Sequence, residues 1–197
     1  MTFSLLLALI GFAFAATFTP GPNNLMLLAS GASFGLRRTV PHMLGVAVGF
    51  GVLVLLVGLG ISQVFVVYPV ARTVLKLLGI AYLAWLAWKI ATAVPAEPGR
   101  VAGQPLTFLQ AAGFQWVNPK ALTMSLTAVT VYSPGTGFLS ISIVALVFTV
   151  VCLPSVGCWA MLGDRMRGLL TDPIYLRRFN LAMAGLLLAS ALPAILA

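Results

Sequence analysis

Acidic side chains are nearly absent from this chain of 197 residues, three in all against eleven Lys and Arg. Glu97, Asp164 and Asp172 all fall in polar stretches, so no long apolar run contains a carboxylate. A cationic group bound among those runs would have to rely on backbone carbonyls and side-chain amides. Histidine is as scarce, a single His42, and the only cysteines are Cys152 and Cys158. No metal-ligand cluster forms, so neither a metal nor another cofactor is expected. The two cysteines sit six residues apart in one apolar run. At 100° per residue they point roughly 120° from each other, cannot pair within a helix, and read as small packing residues.

Charge of either sign is sparse. Charged residues make up 7% of the chain and hydrophobic ones 61%, whereas soluble domains are about 25% charged. The chain reads as an all-α integral membrane protein with one domain, no soluble module and no enzyme chemistry. Its net charge of +8 does not point to nucleic acid, because the basic residues sit in pairs at segment ends and not in one stripe. Its surroundings are membrane lipid.

Six apolar segments follow one another. The first runs from Met1 to about Leu28. Ala13-Phe14-Ala15 looks like a weak cleavage site, but the segment has no basic n-region and is read as a retained span. Gly31 to Arg38 is expected as a short polar link. Spans two and three cover about Met43 to Val64 and Val70 to Ile90. In span two, Gly45 and Gly49 make a face of small residues that lets another helix approach closely. Tyr82, Trp85 and Trp88 crowd the end of span three beside Lys89, as an interfacial aromatic belt does. The stretch from Val94 to Pro105 joins repeat one (about 1–94) to repeat two (about 106–197). Span four covers about Leu106 to Val131, and Ser133-Pro134-Gly135-Thr136-Gly137 is a turn. Spans five and six cover about Phe138 to Leu162, with Pro154 inside, and Phe179 to Leu196.

Arg37, Arg38, Lys89, Arg100, Arg165, Arg167, Arg177 and Arg178 lie in links one, three and five, against Arg72 alone in the others. The positive-inside rule puts those links in the cytoplasm and both termini outside. Three spans per half then force the two repeats into opposite orientations.

Two of the apolar segments are interrupted. Thr19-Pro20-Gly21-Pro22-Asn23-Asn24 breaks span one, and Asn118-Pro119-Lys120 breaks span four at nearly the corresponding position of the second half. Each proline removes a donor and pushes its predecessor out of the α region. In a membrane such backbone survives only when buried in protein or lining a watery cavity. Paired breaks in corresponding positions point to a binding site between inverted repeats. After each proline a half-helix starts with unpaired N–H groups and partial positive charge, which suits a carboxylate.

Lys120 is the one ionisable residue well inside a span, where burial costs about 3 kcal/mol on insertion scales. It reads either as a carboxylate partner or as a structural tie to freed carbonyls or a snorkelling cation. The amides of Asn23, Asn24 and Asn118, with Gln115 one turn before Pro119, either face a ligand or satisfy freed backbone groups. His42, after Pro41 at the mouth of span two, reads as a solvated interfacial residue, with a role in coupling as the sharper alternative. Asp164 and Asp172 read as solvated partners of neighbouring arginines, or as a cytoplasmic gate.

These same residues carry a resemblance. Thr19 to Asn24, Gly31 with Gly35 and Arg37-Arg38, Gly79-Ile80-Ala81-Tyr82-Leu83 with Trp88-Lys89, and Phe114 to Asn118-Pro119-Lys120-Ala121 resemble the LysE/RhtB family of amino-acid exporters. The match spans nearly the whole chain. It implies a six-span bacterial inner-membrane exporter of amino acids or their derivatives, driven by the proton gradient. Within the family the chain looks closest to homoserine/threonine and cysteine/O-acetylserine exporters. The lack of intramembrane acids disfavours lysine or arginine as substrate. A homodimer is among the assemblies the chain admits.

Two other classes compete. Membrane thiol oxidoreductases of the DsbD type also have inverted three-span halves with proline-flanked sites, but thiolate exchange needs a cysteine on the first span of each half. Spans one and four have none. A non-transporting scaffold gives no reason for Lys120 or the paired breaks.

Overall fold

A computed structural model of the chain describes residues 1–61, 67–92, 104–133, 137–190 and 192. Among them there is helix and no strand, as the apolar runs predict. Most of the expected joining stretch from Val94 to Pro105, and the turn at Pro134 to Thr136, lie outside the described residues.

Helix α1 (Phe3–Phe18) starts at Thr2, whose hydroxyl accepts from the Leu5 amide, and stops before Pro20. Thr19 is extended, at φ −61° and ψ 139°, as the residue before a proline prefers. Helix α2 (Pro22–Phe34) restarts immediately with its proline in the first helical position, where a missing N–H does no harm. The two are bent by 55°.

Helix α3 (Leu36–Leu56) continues through a wider turn, Val57–Ile61. The expected polar link from Gly31 to Arg38 is corrected here: it shrinks to Gly35 alone. Gly35 sits at φ 80° and ψ 162°, a backbone essentially reserved for glycine, so one residue reverses the chain and both helices extend to it. Gly31 serves a different purpose, described below.

Helix α4 (Pro69–Ala91) ends in the expected aromatic cluster. Its Tyr82 and Trp85 rings lie 5.5 Å apart, and Lys89 Nζ sits 4.6 Å over Trp85. The second broken segment gives α5 (Phe108–Phe114), opened by a Thr107/Gln110 capping box, and α6 (Pro119–Tyr132), capped by Asn118. Helix α7 (Phe138–Met166) carries Pro154 without breaking, and a short tighter turn leads to α8 (Pro173–Ala189). Asp172, expected as an arginine partner, caps α8 by accepting from the Ile174 amide at 2.7 Å.

Among the described residues, three helices are long and apolar enough to cross a membrane, or four if the bent α1–α2 pair is one span. At the centre, α7 packs on α1, α2 and α3, while α3 also packs on α5, and α4 on α8. Glycines set the closest approaches. Gly31 of α2 lies against the Ala160 carbonyl of α7, and Gly163 of α7 lies against the Leu28 carbonyl of α2. Gly45 and Gly49 of α3 meet Phe108 to Ala112 of α5, so the small-residue face is a packing face, as the spacing suggests. Leu9, Phe50, Leu53, Val144 and Phe148 fill the core beside these contacts.

Candidate functional site

The first break orphans the last carbonyls of α1, because Pro20 and Pro22 have no N–H and Gly21 is extended. Side chains replace the lost donors one by one. The Thr19 hydroxyl donates to the Ala16 carbonyl at 2.8 Å, the bond Pro20 would otherwise supply. Asn24, 5% exposed, donates its amide to the carbonyls of both Thr17 (2.8 Å) and Thr19 (2.9 Å). Ser155 of α7 gives Thr17 a second donor at 2.8 Å. Asn24 therefore takes the backbone-satisfying alternative that the sequence left open.

The second break is gentler. Amides of Gln115, Trp116 and Val117 bond three residues back, at 3.1 to 3.3 Å, as a tighter helical turn does. Asn118 then accepts from the Lys120 amide at 3.1 Å, and Pro119 opens α6. Gly79 of α4 rests on the Val117 carbonyl and braces this turn.

Two bridges join the breaks. Asn23 and Gln115 exchange amide hydrogen bonds, at 2.8 Å and 3.2 Å, and Gln115 also donates to the Ala111 carbonyl at 2.9 Å. Lys120 Nζ donates to the Thr19 carbonyl (2.6 Å), the Thr19 hydroxyl (2.9 Å) and, more distantly, the Pro20 carbonyl (3.4 Å). Its ammonium thus lies at the C-terminal end of α1, where the helix dipole is negative. The Lys120 stem runs against Gly21, so a Cβ there would have to push the flexible lysine aside. Gly21 is fully extended at φ −177°, a backbone open to any residue.

Between the breaks lies a cavity of about 30 Å³, room for one or two waters. Thr17, Gly21, Asn24, Asn118 and Lys120 line its polar side, and Phe50, Met124 and Cys152 its apolar side. An amino acid cannot fit without the surrounding helices moving apart. Neither break contributes a carboxylate, and the α2 N-terminus has no side-chain cap at Gly21.

Thr19, Pro20, Gly21, Pro22, Asn23, Asn24, Gln115, Asn118, Pro119 and Lys120 are all brought together at the junction of the two breaks. His42 and Asp164 are not. His42 is 1% exposed, and neither ring nitrogen has a hydrogen-bond partner among the described residues. The expectation of a solvated interfacial histidine is thereby corrected. Because α3 starts at Leu36 and not near Met43, His42 lies almost two turns inside it, on the face that carries buried Thr39 and Val46. Asp164 lies half-buried beside Gly35 and Arg167, at the far end of α7.

The sequence reading missed Thr17, Ser155 and Cys152 as parts of this junction. Cys152 and Ser155 are three apart and share a helix face around Pro154, which is the signal that was available. Asn24→Ala is expected to weaken the fold by roughly 1–2 kcal/mol, since the buried Thr17 carbonyl and the more open Thr19 carbonyl each lose one of two donors. Thermal unfolding of the purified variant checks this, and a shift no larger than that of an exposed Ala substitution refutes the role of Asn24.

A bundle of apolar helices, broken twice where amides and one lysine converge on a small polar cavity, defines a multi-pass membrane transport protein. The chain belongs to the LysE type translocator family, whose model matches residues 14–196. It is a transporter and not an enzyme. Among its relatives, the Cysteine/O-acetylserine efflux protein of Escherichia coli strain K12 is 35% identical over 195 residues, covering 97% of each chain. Proteins of the same description from Escherichia coli O139:H28 (strain E24377A / ETEC) and Shigella sonnei (strain Ss046) are also 35% identical over 97% of each chain. No solved structure matches.

Proposed function

We propose that the chain exports small neutral amino acids with a short polar side chain, of the cysteine and O-acetylserine kind, across the bacterial inner membrane. The observation that carries this is the junction itself: two helix breaks bridged by Lys120 and by the Asn23–Gln115 pair around one cavity. The name shared by the relatives supports the substrate class. The absence of a carboxylate lining the cavity supports a neutral side chain, because a second substrate cation would be buried unpaired. The substrate carboxylate sits between Lys120 and the uncapped α2 N-terminus, whose Asn23 and Asn24 amides carry the helix dipole.

In this reading the chain has six spans arranged as two inverted repeats, about 1–94 and 106–197, joined through 95–105. Both termini are periplasmic. The packing supports it: α1 lies on α7 and α5 lies on α3, so the first piece of each broken span packs on the second span of the other half. Rocking of one half against the other opens the cavity to either side, driven by the proton gradient.

Export is tested by comparing excreted metabolites of cells overproducing the protein with those lacking it. Cysteine or O-acetylserine is expected to accumulate outside several-fold, and an unchanged amino-acid profile overturns the reading. Orientation is tested separately, with single cysteines at Thr2 and Gly168 and an impermeant maleimide. Thr2 is expected to label in intact cells, and Gly168 only after permeabilisation. The opposite pattern inverts the topology.

A further inference from the structure

The three oxygens around Lys120 Nζ form an ammonium site whose present occupant belongs to the protein. They are the Thr19 carbonyl at 2.6 Å, the Thr19 hydroxyl at 2.9 Å and the Pro20 carbonyl at 3.4 Å. None is a charged group, yet together they do what a carboxylate would do, because they lie at the negative end of α1 and the bend at extended Gly21 carries Asn23 and Asn24, whose amides would have used them, into the first turn of α2. Thr19 and Pro20 are exposed, whereas Asn24 and Asn118 beside them are buried. A solute can therefore reach these oxygens from one side while the inner wall of the cavity stays closed. A substrate amino acid brings an α-ammonium of the same chemistry as Nζ, and no acid near the junction competes for it.

We propose that the Thr19–Pro20 oxygens are the subsite for the substrate α-ammonium, and that Lys120 fills it as a tethered surrogate when the transporter is empty. This rests on the reading of the cavity as an amino-acid site. On binding, the substrate ammonium displaces Nζ, which swings on its flexible stem to the substrate carboxylate. The subsite is never without a cation, so the negative end of α1 always faces a positive group. The bridge from α6 to the end of α1 is released at the same moment, which couples arrival of substrate to separation of the two halves. A molecule with a carboxylate but no amine has nothing to put in place of Nζ, so it binds more weakly and leaves Nζ on the Thr19–Pro20 oxygens for most of the time.

Lys120→Ala leaves the oxygens without their cation, so a free amine should refill them. Thermal unfolding of purified Lys120→Ala and wild type is measured with ethylammonium chloride, and with tetramethylammonium chloride, which has no N–H to donate. Ethylammonium is expected to raise the midpoint of Lys120→Ala saturably, at concentrations about tenfold lower than for wild type, and tetramethylammonium is not. Equal responses of the two proteins, or of the two cations, overturn the proposal. Should Lys120→Ala fail to fold, Thr19→Val decides, since it keeps Lys120 and removes one of the three acceptors. It is expected to weaken binding of L-cysteine about five- to tenfold, and binding of 3-sulfanylpropionate, which is L-cysteine without its amine, hardly at all. Equal weakening of both overturns the subsite. If wild type binds neither compound, the amino-acid reading of the cavity falls, while the ethylammonium result on Lys120→Ala still decides the subsite.

Discussion

Gly31→Val is expected to leave almost no folded protein in the membrane. A Cβ on Gly31 would overlap the Ala160 carbonyl, and the reciprocal contact puts Gly163 on the Leu28 carbonyl. Backbone atoms cannot move aside as a flexible side chain can, so α2 and α7 must separate along their shared face. That face positions everything else, because α2 carries Asn23 and Asn24 while α7 carries Cys152 and Ser155. Overpacking of this kind costs about 1–3 kcal/mol in a core that can adjust and more where the obstacle is backbone. Gly163→Val should behave alike. Gly157→Ala is the control: it lies on the same α7, and its Cβ would meet only the Met43 side chain at 3.8 Å, an ordinary contact. Size-exclusion profiles of detergent-solubilised variants check all three. Wild-type yield and profile for Gly31→Val would show that α2 and α7 do not pack this closely.

Lys120→Gln is expected to weaken amino-acid binding roughly ten- to hundredfold, the loss of one charge-assisted hydrogen bond worth about 1.5–3 kcal/mol. The protein should still accumulate. The Thr19 carbonyl keeps the Asn24 amide at 2.9 Å after the lysine is gone, and a glutamine amide can still donate toward it. The discriminating ligand is the amino-acid amide, which keeps its ammonium but has no carboxylate. For that ligand the loss should be much smaller or reversed, since there is no charge partner to lose and one competitor fewer at Thr19. Binding of both ligands to purified wild type and variant is the measurement. Equal losses would make Lys120 a scaffold residue, tied to freed carbonyls and nothing more.

What could be read in advance was what chain chemistry imposes locally. Prolines 20, 22 and 119, set beside glycine and asparagine, end and restart helices, and both breaks are found where they were expected, whereas Pro41 and Pro154 are carried inside α3 and α7. Composition sufficed for the all-α membrane class, because 7% charged residues cannot cover a soluble surface. Gly45 and Gly49 announced a close helix contact, though not that the partner would be α5. The link from Gly31 to Arg38 was misread because glycine and arginine there look like a loop. Gly31 is instead a helix contact, and Gly35 alone makes the turn.

The roles within the junction were decided by approach between segments far apart in the chain. Lys120 meets Thr19 across 101 positions, Asn23 meets Gln115 across 92, and Ser155 meets Thr17 across 138. Local propensity carries no information about such pairs. Whether Asn24 faces a ligand or a carbonyl depends on which donors the bend leaves missing, and the burial of His42 depends on where α3 begins. By itself the sequence determined an apolar helical bundle with two broken segments and polar groups at each break. Only the tertiary structure decided which of those groups hold the backbone and which face the cavity, because an orphaned carbonyl takes the nearest donor, and nearness here is set by helix packing.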